Sequence, residues 1–175
     1  MDTLDNFDQA FSFTVDVEGK LSIDPKDRGN WTGGQIGKGV LKGTKYGISA
    51  AAYPDEDIAN LTIDRAKYLS KRDHWDKNCC DQLVWPMSLY IFDASFNGGR
   101  FNTVTTLQAI IGVQIDGEIG EETIAAVNKM DSERQAYFLA TRLFNDSRSS
   151  TWQEDGRGWI KRVIMLAQAG AAKGK

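Results

Sequence analysis

Between Gly29 and Gly47 the chain carries glycine at positions 29, 33, 34, 37, 39, 43 and 47, a density that no stable helix tolerates. Trp31, Ile36, Val40, Leu41 and Tyr46 stand among these glycines, so the stretch reads as hairpins or an ordered loop pinned by apolar side chains. The flanking sequence has helical character. At a helical step of about 100° per residue, Phe7, Phe11 and Thr14 fall on one side of a helix over Leu4 to Val17, and Glu18 returns to the side of Phe7. Gly19 is the expected stop of that helix, which leaves Glu18 where helix gives way to loop. Pro54 ends a short piece over Ile48 to Tyr53, and Thr62 predicts the N-cap of a helix running to about Trp75. Pro86 suits the first turn of a helix in which Leu89, Phe92, Asp93 and Phe96 share a side, with Gly98-Gly99 closing it. Further helices are predicted at about 101–111, 120–129, 132–147 and 157–171, the last with Ile160, Val163, Ile164 and Ala167 at core spacing.

A length of 175 residues fits one domain, and 41% hydrophobic with 26% charged residues is the composition of an ordinary soluble protein. No run approaches the roughly 20 apolar residues of a membrane span. The start, Met-Asp-Thr-Leu-Asp-Asn, is acidic and unlike a secretory signal, so synthesis in a cytoplasm without an export signal is expected. Cys79 and Cys80 are adjacent, which disfavours a mutual disulfide and gives no zinc pattern with His74; both read as reduced thiols, and no metal is expected. A net charge of −3 argues against a general nucleic-acid binder. From Gly156 onward, however, Arg157, Lys161, Arg162, Lys173 and Lys175 meet no acid. That is either a solvated helix face with a basic tail or a contact for an anionic envelope such as an outer membrane.

Glu18 is the residue with the most chemistry in prospect. With apolar neighbours its charged form loses solvation, its pKa rises, and it becomes fit for general-acid work near neutral pH. The competing reading is a surface glutamate in a last helical turn.

Glu18-Gly19, Asp24-Pro25, Thr44-Lys45-Tyr46-Gly47-Ile48, His74-Trp75, Pro86, Phe92-Asp93 and Asn97-Gly98 follow one another in the order seen in glycoside hydrolase family 108. Through these residues the chain resembles that family of N-acetylmuramidases, many of them endolysins of phages infecting Gram-negative bacteria. Leu107-Gln108, Ile111-Gly112-Val113, Asp116-Gly117, Gly120 and Thr123 resemble the predicted peptidoglycan-binding region that closes such proteins; they also suit a plain helix-turn-helix packing unit. The resemblance spans about residues 7–165. Two departures stand out: Lys20 occupies a position where glycine is common, and the stretch between Asp24 and Thr44 is long, leaving Asp24 and Asp27 both open as the second carboxylate.

The resemblance implies a mainly α, lysozyme-like α+β fold whose hairpin-rich segment, about residues 20–47, flanks a cleft against a helical body. It implies a single catalytic domain over 1–175, with a muramidase part at 1–99 and a helical peptidoglycan-binding-like part at 100–175 built into the same body. The implied activity is hydrolysis of the β-1,4 bond between N-acetylmuramic acid and N-acetylglucosamine, with Glu18 as acid, Asp24 acting on a water and Thr44 holding it. Tyr46 and Trp75 are candidate sugar platforms, each also readable as core. Asn97 is a candidate for the N-acetyl group, or a cap of its own helix. Asp93 is a candidate substrate contact, with structural pairing to an arginine the favoured role. A lytic transglycosylase, which needs only one acid/base glutamate, and a non-catalytic wall-binding or secretion-associated protein are the alternatives. No organic cofactor is implied. A monomer acting at the periplasmic wall is expected, either as a phage endolysin for host lysis or as a bacterial effector.

Overall fold

The computed structural model describes residues 5–15 and 19–172. They are mainly helical, with one small antiparallel sheet, the expected fold class. The chain divides into two compact units, one over Phe11–Lys71 and one formed by Met1–Ala10 with Arg72–Lys175. The boundary therefore falls at Lys71, and the residues before and after Gly99 share a unit.

Helix α1 (Asn6–Thr14) closes short of the predicted Glu18. Val15 makes a last helical bond to the Phe11 carbonyl at 2.9 Å, so Gly19 does not stop this helix.

In the unit over Phe11–Lys71, β1 (Thr44–Lys45) pairs antiparallel with β2 (Ile48–Ser49), Thr44 opposite Ser49 and Lys45 opposite Ile48. Tyr46 (φ +53°) and Gly47 (φ +73°) form the two-residue loop. Two successive positive φ values define a turn whose twist matches the strands it joins. Ser22 and Thr44 exchange backbone bonds of 2.9 Å in both directions, adding a third rung. The glycine-rich stretch is a second, ordered hairpin: Trp31 bridges Leu41, and the Thr32 N–H donates to the Val40 carbonyl at 3.0 Å. Helix α2 (Ile63–Ser70) starts as predicted, the Thr62 hydroxyl accepting from the Arg65 N–H. It buries Ala66 and Leu69, which join Ile48, Ala50, Ile58 and Leu61 in the core of this unit.

The other unit is built around α3 (Met87–Gly98), buried continuously from Met87 to Ser95. A helix apolar on nearly all sides belongs at the centre of a bundle. Around it pack α4 (Arg100–Ile111), α6 (Ser132–Asp146) and α7 (Trp152–Ala172), with α5 (Glu121–Val127) against α4. Phe7, Trp75 and Phe92 meet edge to face with centroids 5.4–5.8 Å apart, filling the layer next to α3.

Helix α7 is turned away from the expected register. Ile160 and Ile164 are exposed, while Leu166 and Gly170 are buried and Arg162 points to Asp93. The inward stripe is thus Arg162, Leu166 and Gly170, at i, i+4 and i+8. Close approach selects it: a Cβ on Gly170 would collide with the Tyr90 hydroxyl and Pro86, and the Trp85 indole donates to the Gly170 carbonyl at 3.1 Å. The ion pair and the glycine contact outweigh the apolar stripe visible in the sequence.

Candidate active site

Three of the polar residues in the hairpin unit are joined through one amide. Asp24 opens an Asp-Pro turn: its Oδ1 accepts from the Lys26 N–H at 2.9 Å, and its carbonyl accepts from the Asn30 side-chain Nδ2 at 3.0 Å. The other face of that amide, Oδ1, accepts the Thr44 hydroxyl proton at 2.7 Å. Asn30 is itself fully buried, its own carbonyl accepting from the N–H groups of Lys42 and Gly43. Asp24 and Thr44, twenty residues apart in sequence, are therefore held in fixed register by Asn30. Asp27 caps the turn Arg28–Asn30, its Oδ1 accepting from the Gly29 N–H at 2.8 Å and its carbonyl from the Asn30 N–H at 3.2 Å. Asn30 carries no local signature. Its partners lie six and fourteen residues away, beyond any periodicity.

Glu18 lies outside the described residues. Its neighbour Gly19 is described and is informative: it sits at φ +57°, and a Cβ built on it would collide with the Tyr46 ring, 1.9–2.5 Å from three of its atoms. The ring of Tyr46 thus packs against the backbone one residue from Glu18 in the chain. Tyr46 is also one of only two non-glycine residues with positive φ among the described residues, and such strained positions concentrate at functional sites. The Lys45 ammonium stands 5.4 Å from the ring centroid. Gly19→Ala is expected to displace the ring and to strain the backbone, costing about 1–3 kcal/mol in denaturant unfolding. Tyr46→Ala in the Gly19→Ala background should recover the part due to the collision.

The remaining sequence-predicted positions fall in the helical unit. Trp75 is completely buried; its indole donates to Asp81 Oδ1 at 2.8 Å, and Phe7 and Phe92 cover it. No face is open to a sugar, so Trp75 is core and not a platform. Asp93 is likewise fully buried, gripped by Arg142 Nη1 at 2.6 Å and by Arg162 through Nε and Nη2. It ties α3 to α6 and α7 and leaves no open carboxylate for substrate. Asn97, on the last turn of α3, donates its side-chain amide to the Asp93 carbonyl at 2.8 Å, the self-capping arrangement weighed against sugar recognition. A cavity of this unit, about 180 Å³ and lined by Asn102, Thr106, Arg142 and Asp146 among others, contains none of the predicted site residues.

His74 Nδ1 lies 3.0 Å from Ser95 Oγ and its ring meets Phe96 edge-on. Burial pushes its pKa below the usual 6.5, with Asp73 opposing and Lys77 assisting. Because the unfolded chain then binds the proton more readily, stability from this group is present above about pH 6.5 and is lost as pH falls below it. Unfolding midpoints measured from pH 7.5 to 5 should decline, and His74→Gln should flatten that slope.

The polar residues of the predicted wall-binding pattern face one another. Gln108 is buried; its Nε2 donates to Asp116 Oδ1 at 2.7 Å and to the Glu118 carbonyl at 2.9 Å, while its Oε1 accepts from the N–H groups of Asp116 and Gly117. The Gln108 bond holds the exposed Asp116 carboxyl below its usual range. The pattern thus staples the turn between α4 and α5, the packing-unit role.

Among protein families, the sequence model of glycosyl hydrolase 108 matches residues 11–99, which takes in the whole hairpin unit and extends through α3. No curated protein matches the chain. Nine chains of solved structures do. One is the structure of Brucella abortus SagA, 27% identical, with a TM-score of 0.74 over 93% of this chain and 90% of that one.

Proposed function

This chain belongs to the glycosyl hydrolase 108 family, and we propose that it is a peptidoglycan hydrolase cutting the β-1,4 bond between N-acetylmuramic acid and N-acetylglucosamine. The observation that carries this reading furthest is the Asp24–Asn30–Thr44 arrangement, because it ties the backbone bearing the Asp24 carboxylate to the Thr44 hydroxyl, and a carboxylate and a hydroxyl are what activation of a water requires. Glu18 gives its proton to the bridging oxygen, Asp24 takes one from the water, and Thr44 holds that water. The Tyr46 ring, packed on Gly19, offers a pyranose the face its axial hydrogens prefer. Asp24 is favoured over Asp27 as the second carboxylate, since the side-chain amide that accepts from Thr44 donates to the Asp24 carbonyl. No organic cofactor enters these steps.

The site of action in this reading is the periplasmic wall of a Gram-negative cell, reached by an endolysin made in the host cytoplasm and acting as a monomer. Contact of the basic tail with an anionic outer membrane rests on fewer charges than the sequence offers, because Arg162 is committed to Asp93. Arg157 and Lys161 are exposed; Lys173 and Lys175 lie outside the described residues.

Borohydride reduction of fragments released from purified peptidoglycan tests the bond assignment. Reduced N-acetylmuramic acid ends are expected. Reduced N-acetylglucosamine ends would move the cut to the other glycosidic bond, and 1,6-anhydro ends would make the protein a lytic transglycosylase.

A further inference from the structure

We propose that Asn30 is a positioning residue that makes the Thr44 hydroxyl an obligate hydrogen-bond acceptor and thereby fixes the orientation of the attacking water. The inference rests on the reading of this chain as a hydrolase with Asp24 and Thr44 at its water site. A threonine hydroxyl has one proton and two lone pairs, and an amide oxygen can only accept. With Thr44 Oγ1 2.7 Å from Asn30 Oδ1, the single proton is committed. The amide cannot be reversed, because its Nδ2 is 3.0 Å from the Asp24 carbonyl, which also only accepts. It does not swing either: Asn30 is fully buried, and its backbone carbonyl is held by the N–H groups of Lys42 and Gly43 at 3.0 and 3.1 Å.

What Thr44 presents onward is lone pairs alone. A water bound there must donate one proton to Thr44 and has its second for the Asp24 carboxylate. Both of its own lone pairs are then left for the anomeric carbon. As the new bond from the water oxygen to that carbon forms, the bond to the bridging oxygen breaks. The bridging oxygen takes the proton of Glu18, and the water's proton passes to Asp24, so that one water is added across the bond. Without the Asn30 acceptor the Thr44 hydroxyl is free to donate to the water, occupying one of its two lone pairs and weakening it as a nucleophile.

Asn30→Leu and Asn30→Asp separate this role from a merely structural one. Both side chains approximate the size of asparagine and both lose the bond to the Asp24 carbonyl, but only aspartate still accepts from Thr44. Asn30→Leu is expected to lower kcat about 10- to 100-fold with KM within about twofold. Asn30→Asp, which still accepts from Thr44, should recover most of that loss. Equal kcat in the two variants would overturn the assignment.

Proton NMR of the native protein supplies a second measurement that depends on neither activity nor the folding of a variant. The Thr44 hydroxyl proton should exchange slowly with solvent and lie close to the Asn30 side chain; rapid exchange would overturn the assignment. If the native protein cuts no glycan, the hydrolase reading fails, while the hydroxyl proton still decides whether Asn30 sets the polarity of Thr44.

Discussion

Asp93→Ala is expected to destabilise the protein by about 3–5 kcal/mol, the cost of stripping one partner from a buried ion cluster. The carboxylate is fully buried between Arg142 and Arg162, whose side chains are 11% and 27% exposed. Its removal leaves two guanidinium groups near one another with little water to screen them. It also severs α3 from α6 and α7 at a single point, since both arginines reach the same residue from different helices. Asp93→Asn should recover only a minor part, because an amide keeps the shape but does not balance the charge. The exposed Arg65–Glu56 pair, with side chains 46% and 22% exposed, is the internal control: breaking it should cost less than about 1 kcal/mol. Denaturant unfolding of the variants checks both figures, and an Asp93→Ala loss as small as the Arg65 loss would show that the cluster is not what anchors α7.

Glu18→Gln is the change expected to act on chemistry alone. Glutamine keeps the length and much of the hydrogen-bonding shape of the side chain but has no proton to give the departing oxygen. Loss of a general acid costs about 10²–10⁴-fold in rate, and the loss should fall on kcat, since Tyr46 and the Asp24–Asn30–Thr44 arrangement are untouched. Glu18→Asp retains an acid but draws it back by one methylene; a displacement of roughly 1 Å is enough for a loss of about 10²-fold. Thermal unfolding of both variants should match the native protein.

What could be read from the sequence was encoded in neighbouring residues. The Thr62 cap, the Gly98–Gly99 break, the hairpin character of the glycine-rich stretch and the helices that follow all depend on side chains within a turn or two of the feature they set. The candidate site was partly legible, because Asp24, Thr44 and Tyr46 lie in short motifs. The partners that the sequence does not name lie far along the chain. Asp93 finds its arginines 49 and 69 residues away, and Asn30 reaches Thr44 across fourteen. Trp75 presents the same residue type whether it lines a groove or fills a core, and only the ring packing of Phe7 and Phe92 decides between them. On α7 the apolar stripe was real, but a glycine contact and an ion pair chose a different face. Periodicity counts apolar side chains; it has no access to which helix face permits the closest approach.

The central claim, that Glu18 drives hydrolysis of the muramic acid bond, is tested most directly by mass spectrometry of peptidoglycan digests made in heavy-oxygen water by the native protein and by Glu18→Gln. The native digest should contain fragments ending in reducing N-acetylmuramic acid that carry one heavy oxygen, and those fragments should vanish with Glu18→Gln. Equal release by the two proteins, or no release by either, would contradict the account.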